Sequence, residues 1–159
     1  MPLFTMSEWK KIIDNLKKIN LNSLFEEQHK KTNIQKFILD SNKNRLRIKG
    51  IDINENQIRT YKATAGNVYS NRTIDIKRAK GQPTDRVTLF DTGKWQGSFA
   101  MKINKTFAEI TSNKTSYAKL EENVEMKNIL GMTEQQNDLL TNMLAPDISK
   151  NLVKKTFNV

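Results

Sequence analysis

The chain has 159 residues, 36% of them hydrophobic, with a formal net charge of +10 and no cysteine. Disulfides and thiolate metal sites are therefore excluded, and with one histidine, His29, a zinc site would have to be mostly carboxylate. The length suits one domain, and a mean hydropathy of −0.67 implies a small core under a large solvated or partner-facing surface.

The charge is uneven. Residues 1–50 carry 11 basic and 5 acidic side chains, residues 51–105 carry 10 and 5, and residues 106–159 carry 6 and 7. A basic front and a neutral rear suit either a nucleic-acid surface or an acidic protein partner, and the count does not choose between them. Residues 1–8 lack a basic start followed by an apolar run. No window nears the roughly 18 apolar residues of a membrane span. The expectation is a protein of a cytoplasm, without membrane partners.

In chain order, Ser7 and Glu8 open a helix in which Trp9, Ile12, Ile13, Leu16 and Ile19 fall at helical spacing. Asn20 and Asn22 break it, and Ser23 with Glu26 forms a capping box that starts a second helix. That helix is polar over residues 26–33, where His29 is expected on a solvated face. It then gains an apolar side at Ile34, Phe37, Ile38 and Leu46 and stops at Gly50. With nothing to bury against, its polar half reads as a surface helix, with projection from the core as the other reading.

Residues 51–84 are the least regular. Residues 58–63 alternate and carry Arg59 and Lys62, the pattern of an edge strand. Ala65-Gly66-Asn67 signals a turn. Residues 70–80 are strongly basic through Arg72, Lys77, Arg78 and Lys80, candidate contacts to DNA or to an acidic partner, and Gly81-Gln82-Pro83 ends the stretch.

Two runs of period two, 98–103 and 106–111, read as an antiparallel hairpin around Asn104-Lys105. In that register Ile103 faces Thr106, Met101 faces Ala108 and Phe99 faces Ile110, all on the core side. Lys105 suits positive φ poorly, which favours a longer loop. A short helix over 116–123 follows. Thr133 with Gln136 makes another capping box, opening a helix that turns Leu139, Leu140, Met143 and Leu144 inward until Pro146 kinks or ends it. Ile148, Leu152 and Val153 continue the apolar stripe. The expected class is α+β in one domain, 1–159: N-terminal helices (7–49), lying on the surface or projecting, and an α+β core (51–159). The core carries an antiparallel sheet with a central hairpin (about 98–111), flanked by N-terminal and C-terminal helices.

The sharpest chemical lead is Leu89-Phe90-Asp91-Thr92-Gly93. An apolar pair before Asp-Thr-Gly presents the carboxylate of aspartic proteases, in which two such groups share one proton. Lys94 stands where that loop needs a small residue, since an ammonium there would hold both carboxylates ionised. The interval to Ile129-Leu130-Gly131 is too short for the flap and strands of the protease barrel, and the N-terminal region reads as helical. The competing reading makes Asp91 and Thr92 turn residues that satisfy backbone donors, with Gly93 supplying the conformation. No glycine loop for phosphate, acidic metal cluster or aromatic stacking platform is present, so no catalytic, cofactor-binding or metal-binding residue is assigned.

The order of these segments resembles the tailed-phage minor structural proteins of virion morphogenesis, head–tail joining and tail completion. Their pattern is Leu-x-x-Thr-Gly-x-Leu with a serine a few residues on, a hairpin, Tyr-Ala at a short helix, Leu-Gly, and a last helix. Here it reads Leu89-Phe90-Asp91-Thr92-Gly93-Lys94-Trp95, Ser98, the hairpin, Tyr117-Ala118, Ile129-Leu130-Gly131 and a helix from Thr133. Trp95 replaces an aliphatic residue, and Glu121-Glu122-Asn123 stands where a glycine is usual. The resemblance covers about a third of the chain, from Val87 to Met132. It implies a non-enzymatic virion subunit, assembled in the bacterial cytoplasm, that forms a homo-oligomeric ring with head, neck or tail proteins around the DNA channel. A basic nucleic-acid-binding module is the alternative, and the protease a third.

Overall fold

The computed structural model of the chain describes residues 6–63, 67–103 and 107–157. It is α+β: a two-stranded antiparallel hairpin flanked by N-terminal and C-terminal helices. No described helix is long and apolar enough to cross a membrane. The turn expected at Ala65-Gly66 and the hairpin tip at Asn104-Lys105 lie outside the described residues.

Helix α1 (Met6–Lys18) buries Ile12 but leaves Ile13 and Leu16 exposed, and the Trp9 side chain lies outside the described residues. Asn20 both ends this segment and caps the next, its side chain accepting from the Ser23 amide at 3.2 Å. Helix α2 (Leu21–His29) therefore starts ahead of the expected Ser23 cap. The second helix is also not continuous. It breaks at Lys30-Lys31, and α3 runs over Thr32–Asn44.

This break corrects two expectations. Gln28 and His29 are buried, not solvated, and α1, α2 and α3 all pack on the C-terminal helix α7 (Glu134–Phe157). The polar half does not project because it has partners there. Lys31 pairs with Asp147 at 2.6 Å, and the Asn15 amide donates to the Thr156 carbonyl at 2.8 Å. Ile34 and Ile38 of α3 meet Leu140 and Leu144 of α7 in one apolar cluster, with Met101, Ile110 and Met132 against it.

Past Asn44 the chain adds one π-turn, Arg45–Lys49, closed by the Gly50 amide donating to the Arg45 carbonyl at 2.9 Å. Gly50 stops the helix as its sequence position implies, at φ 65°. The extra residue per turn sends Arg45 and Leu46 into the interior. Arg45 is 2% exposed, and its guanidinium donates to the carbonyls of Ile51 (2.6 Å), Ile129 (2.7 Å) and Gly131 (3.2 Å) and to Asn42 Oδ1 (3.1 Å). Asn42 Oδ1 also accepts from the Gly131 amide at 3.1 Å. Burial pulls the Arg45 pKa down to about 10, against the attraction of Asp52.

The edge strand expected at 58–63 reduces to a single bridge, Thr60 with Val124. The Asp52 carboxylate, accepting from the amides of Asn54 and Asn56 at 2.9 Å, holds the preceding residues in a turn. The hairpin forms between β1 (Ala100–Ile103) and β2 (Ala108–Thr111), pairing Met101 with Ile110 and Ile103 with Ala108. Its register is two residues from the expected one because the connection is longer. A slip of two preserves which side chains share a face, so Met101 and Ile110 still turn to the core. The other face sets Lys102 opposite Glu109.

Helix α7 opens on the expected capping box: the Gln136 amide donates to Thr133 Oγ1 (3.3 Å), and the Thr133 amide donates to Gln136 Oε1 (3.0 Å). Pro146 does not end it. Leu140 and Leu144 point inward as expected. Leu139 (50% exposed) and Met143 (40%) do not, because the buried arc of the helix is narrower than its apolar content.

Substitutions at two positions test this frame. Gly50→Ala would set a Cβ 2.5 Å from the Val87 carbonyl oxygen at positive φ, so chemical denaturation should show a loss of more than about 1 kcal/mol. Arg45→Met strands buried carbonyls and should cost about 3 kcal/mol. Arg45→Lys should recover only part of this, since one ammonium cannot reproduce the guanidinium fork.

Candidate functional site

The segment from Val87 to Phe90 belongs to no helix and pairs with no strand among the described residues. Side chains satisfy its backbone instead. The Thr88 amide donates to the Tyr69 hydroxyl at 3.0 Å, and the buried Gln96 amide donates to the carbonyls of Thr88 and Leu89, both at 3.4 Å. Leu89 has φ 46°, which costs a side-chain-bearing residue roughly 1–3 kcal/mol. Its buried side chain sits in the cluster of Leu46, Val87, Trp95 and Phe99, which offsets that strain.

Residues 70–80, legible in sequence only as a basic stretch, form helix α4 (Asn71–Ala79), started by Ser70 Oγ accepting from the Thr73 amide. Helical geometry then separates the four candidate cations. Arg72, Arg78 and Lys80 are exposed, but Arg72 and Arg78 are about 120° apart around the helix, so they point to different sides. Lys77 is 7% exposed and turned inward. Its Nζ donates to the Phe90 carbonyl (3.0 Å), Gln82 Oε1 (3.2 Å) and Thr88 Oγ1 (3.3 Å), and lies 5.1 Å from the centre of the Tyr69 ring. All its protons are engaged, so the expectation that Lys77 touches DNA or a partner is corrected. Burial lowers the Lys77 pKa, with Asp91 opposing, and burial raises that of Tyr69, opposed by its bonding to Thr88.

The turn that follows matches its structural reading in part. Thr92 Oγ1 accepts from the Lys94 amide at 3.4 Å, and Gly93 has φ 78°, where an added Cβ would lie 3.0 Å from the Phe90 ring. Asp91 caps no backbone donor. Its carboxylate pairs with Lys80, while its carbonyl accepts from the Gln82 amide at 2.8 Å. Gly93 leads into helix α5 (Lys94–Gly97), which delivers Trp95 edge-on to Phe99 (4.8 Å, 89°) and its indole nitrogen to Ser112 Oγ at 3.1 Å.

Ser98 joins the end of α5 to the start of the next helix. Its hydroxyl donates to the Trp95 carbonyl (2.6 Å) and accepts from the Asn113 amide (2.9 Å). Asn113 in turn caps α6 (Lys114–Glu121), which begins earlier than expected. On α6, Tyr117 packs against the core and Ala118 is exposed. Gly131 is held elsewhere, by Asn42 and Arg45. The motif residues thus act as turn-formers and packing contacts.

Together α4, the 87–95 segment and α6 enclose a cleft of about 640 Å³. Apolar groups, among them Leu89, Trp95 and Leu120, form its walls. Its charged lining is Lys77, Lys94 and Lys119 against the single carboxylate of Asp91. Such a site attracts anionic, partly apolar matter. Tyr69, Thr88 and Gln96, which build it, had no sequence signal, since each is an isolated polar residue in an irregular stretch.

Replacing Lys77 by Met tests the buried ammonium through pH. Because the folded pKa lies below the ordinary lysine value of 10.5, the unfolded chain keeps that proton longer. As pH rises through the lowered folded value toward 10.5, the wild type should gain stability relative to Lys77→Met, and the difference should be flat below that window. Denaturation midpoints at matched pH values measure it, with the Tyr69 contribution common to both proteins.

No family model, no curated protein and no solved structure matches the chain.

Proposed function

We propose that this protein is a non-enzymatic structural subunit of a tailed-bacteriophage virion, working at head–tail joining or tail completion as one copy of a ring around the DNA channel. The observation that carries the reading is the order of segments from Leu89 to the helix after Thr133. The residues that define that order do mechanical work: Gly93 turns the chain, Ser98 ties α5 to α6, and Gly131 is gripped by Asn42 and Arg45. A subunit whose distinctive residues shape surfaces, with apolar side chains left over on α7, suits assembly with copies of itself and with other virion proteins. It would be assembled in the bacterial cytoplasm and end in the virion.

The nucleic-acid-binding alternative retains exposed Arg72, Arg78 and Lys80, but the inward turn of Lys77 and the separation of the two arginines weaken it. The protease reading is weaker still. Asp91 is occupied by Lys80 and its loop enters a four-residue helix, whereas the protease needs paired loops in a β-barrel.

Native mass measurement of the purified chain separates these readings. A closed multi-copy species is the expected result. A monomer or dimer that binds duplex DNA with affinity falling steeply in salt would favour the alternative. Peptide cleavage lost on Asp91→Asn would favour the protease.

A further inference from the structure

We propose that the cleft between α4, the 87–95 segment and α6 docks a short acidic peptide segment of a protein partner. Carboxylates of that segment meet Lys94 and Lys119, and its apolar side chains fill the floor between them. The contact concerns one face of one copy, so it holds whether or not copies close into a ring.

Charge is the first observation. Lys77, Lys94 and Lys119 all line the cleft, and none of them forms an ion pair among the described residues. Lys77 donates to three neutral oxygens, so it adds positive potential without offering a free proton. The one lining carboxylate, Asp91, is paired with Lys80. Two exposed ammonium groups are therefore left unmatched, one on α5 and one on α6.

The apolar lining is the second. Ile76 is 46% exposed, Phe90 and Leu120 are half-buried, and Leu89 and Trp95 are buried in the wall. At about 640 Å³ the cleft is sized for a few side chains, not for a whole helix.

These two features together select the occupant. An exposed ion pair changes affinity by about fivefold at most, so Lys94 and Lys119 alone would hold a free anion only weakly. Duplex DNA offers phosphates but nothing to seat among Ile76, Phe90 and Leu120. A small amphiphile has an apolar body but a single anionic head, whereas the two ammonium groups stand on separate elements. Carboxylates spaced along a chain, with apolar side chains between them, satisfy both. The charges would also fix the register of the segment and speed its association.

The test uses the full chain carrying Trp9→Phe, which leaves Trp95 in the cleft wall as the fluorescent reporter, with circular dichroism to verify folding. The probe is the capped peptide acetyl-Glu-Leu-Phe-Glu-amide. It should shift Trp95 emission saturably. The Lys-Leu-Phe-Lys and Glu-Gly-Gly-Glu counterparts should each bind at least about tenfold more weakly. Lys94→Glu with Lys119→Glu, both at exposed sites, should invert the preference, so that the Lys-Leu-Phe-Lys peptide becomes the tighter ligand. Equal binding of Glu-Gly-Gly-Glu would reduce the cleft to a charge effect and overturn the proposal. Octanoate binding as tightly as the peptide would overturn it in favour of a small amphiphilic anion. A response to duplex DNA and to no peptide would make this a nucleic-acid face instead, and no saturable response to any probe would leave no docking site. Native mass reads the ring separately: a monomer that binds the peptide keeps this contact and removes the ring.

Discussion

From the π-turn at the end of α3, the Arg45 guanidinium reaches three carbonyls belonging to two segments far apart in sequence, at Ile51 and at Ile129 and Gly131. The geometry explains why the clamp is needed. The described residues contain one short hairpin, so interior segments outside the helices have few strand partners for their peptide groups. A planar cation with several fixed donors can serve many acceptors at once. Asn42 completes the grip by accepting from Arg45 and from the Gly131 amide while donating to the Ile38 carbonyl. The desolvation that pulls Arg45 down to about 10 still leaves it charged at neutral pH, so the clamp holds under ordinary conditions.

The same device recurs around residues 87–90. Tyr69, Lys77 and Gln96 supply there the hydrogen bonds that neighbouring strands would supply in a sheet. A backbone held this way can take shapes that a strand cannot, including the positive φ of Leu89. Arg47 over the Phe90 ring at 4.2 Å adds a further anchor from the helical side. The cleft wall is thereby held in place by side chains, without regular secondary structure.

Much of the framework was legible in the residues. The Thr133–Gln136 capping box, the Gly50 stop, the hairpin and the helical spacing of Ile34, Ile38, Leu140 and Leu144 all rest on local rules, and each appears in the molecule. Local rules failed where tertiary partners intervened. Asn20 took the cap expected of Ser23, and the polar run at 26–33 packs onto α7, where Lys31 meets Asp147. The basic stretch 70–80 hid a helix, since its single cap, Ser70, is a weak signal beside four cations. In the candidate site, the Asp91–Gly93 turn could be read in advance, whereas the buried network of Tyr69, Lys77, Thr88 and Gln96 could not.

What the sequence by itself determined is therefore the set of local elements and their order. Caps, glycine stops and apolar periodicity act over a few residues and need no knowledge of the rest of the chain. Only the tertiary structure decided which polar groups went inside. Burying Arg45 or Lys77 carries a desolvation cost that becomes tolerable only when acceptors from other segments converge on it. Composition cannot report that convergence. It likewise decided that Leu139 and Met143 face outward, because which side of an apolar helix is covered depends on how many neighbours reach it.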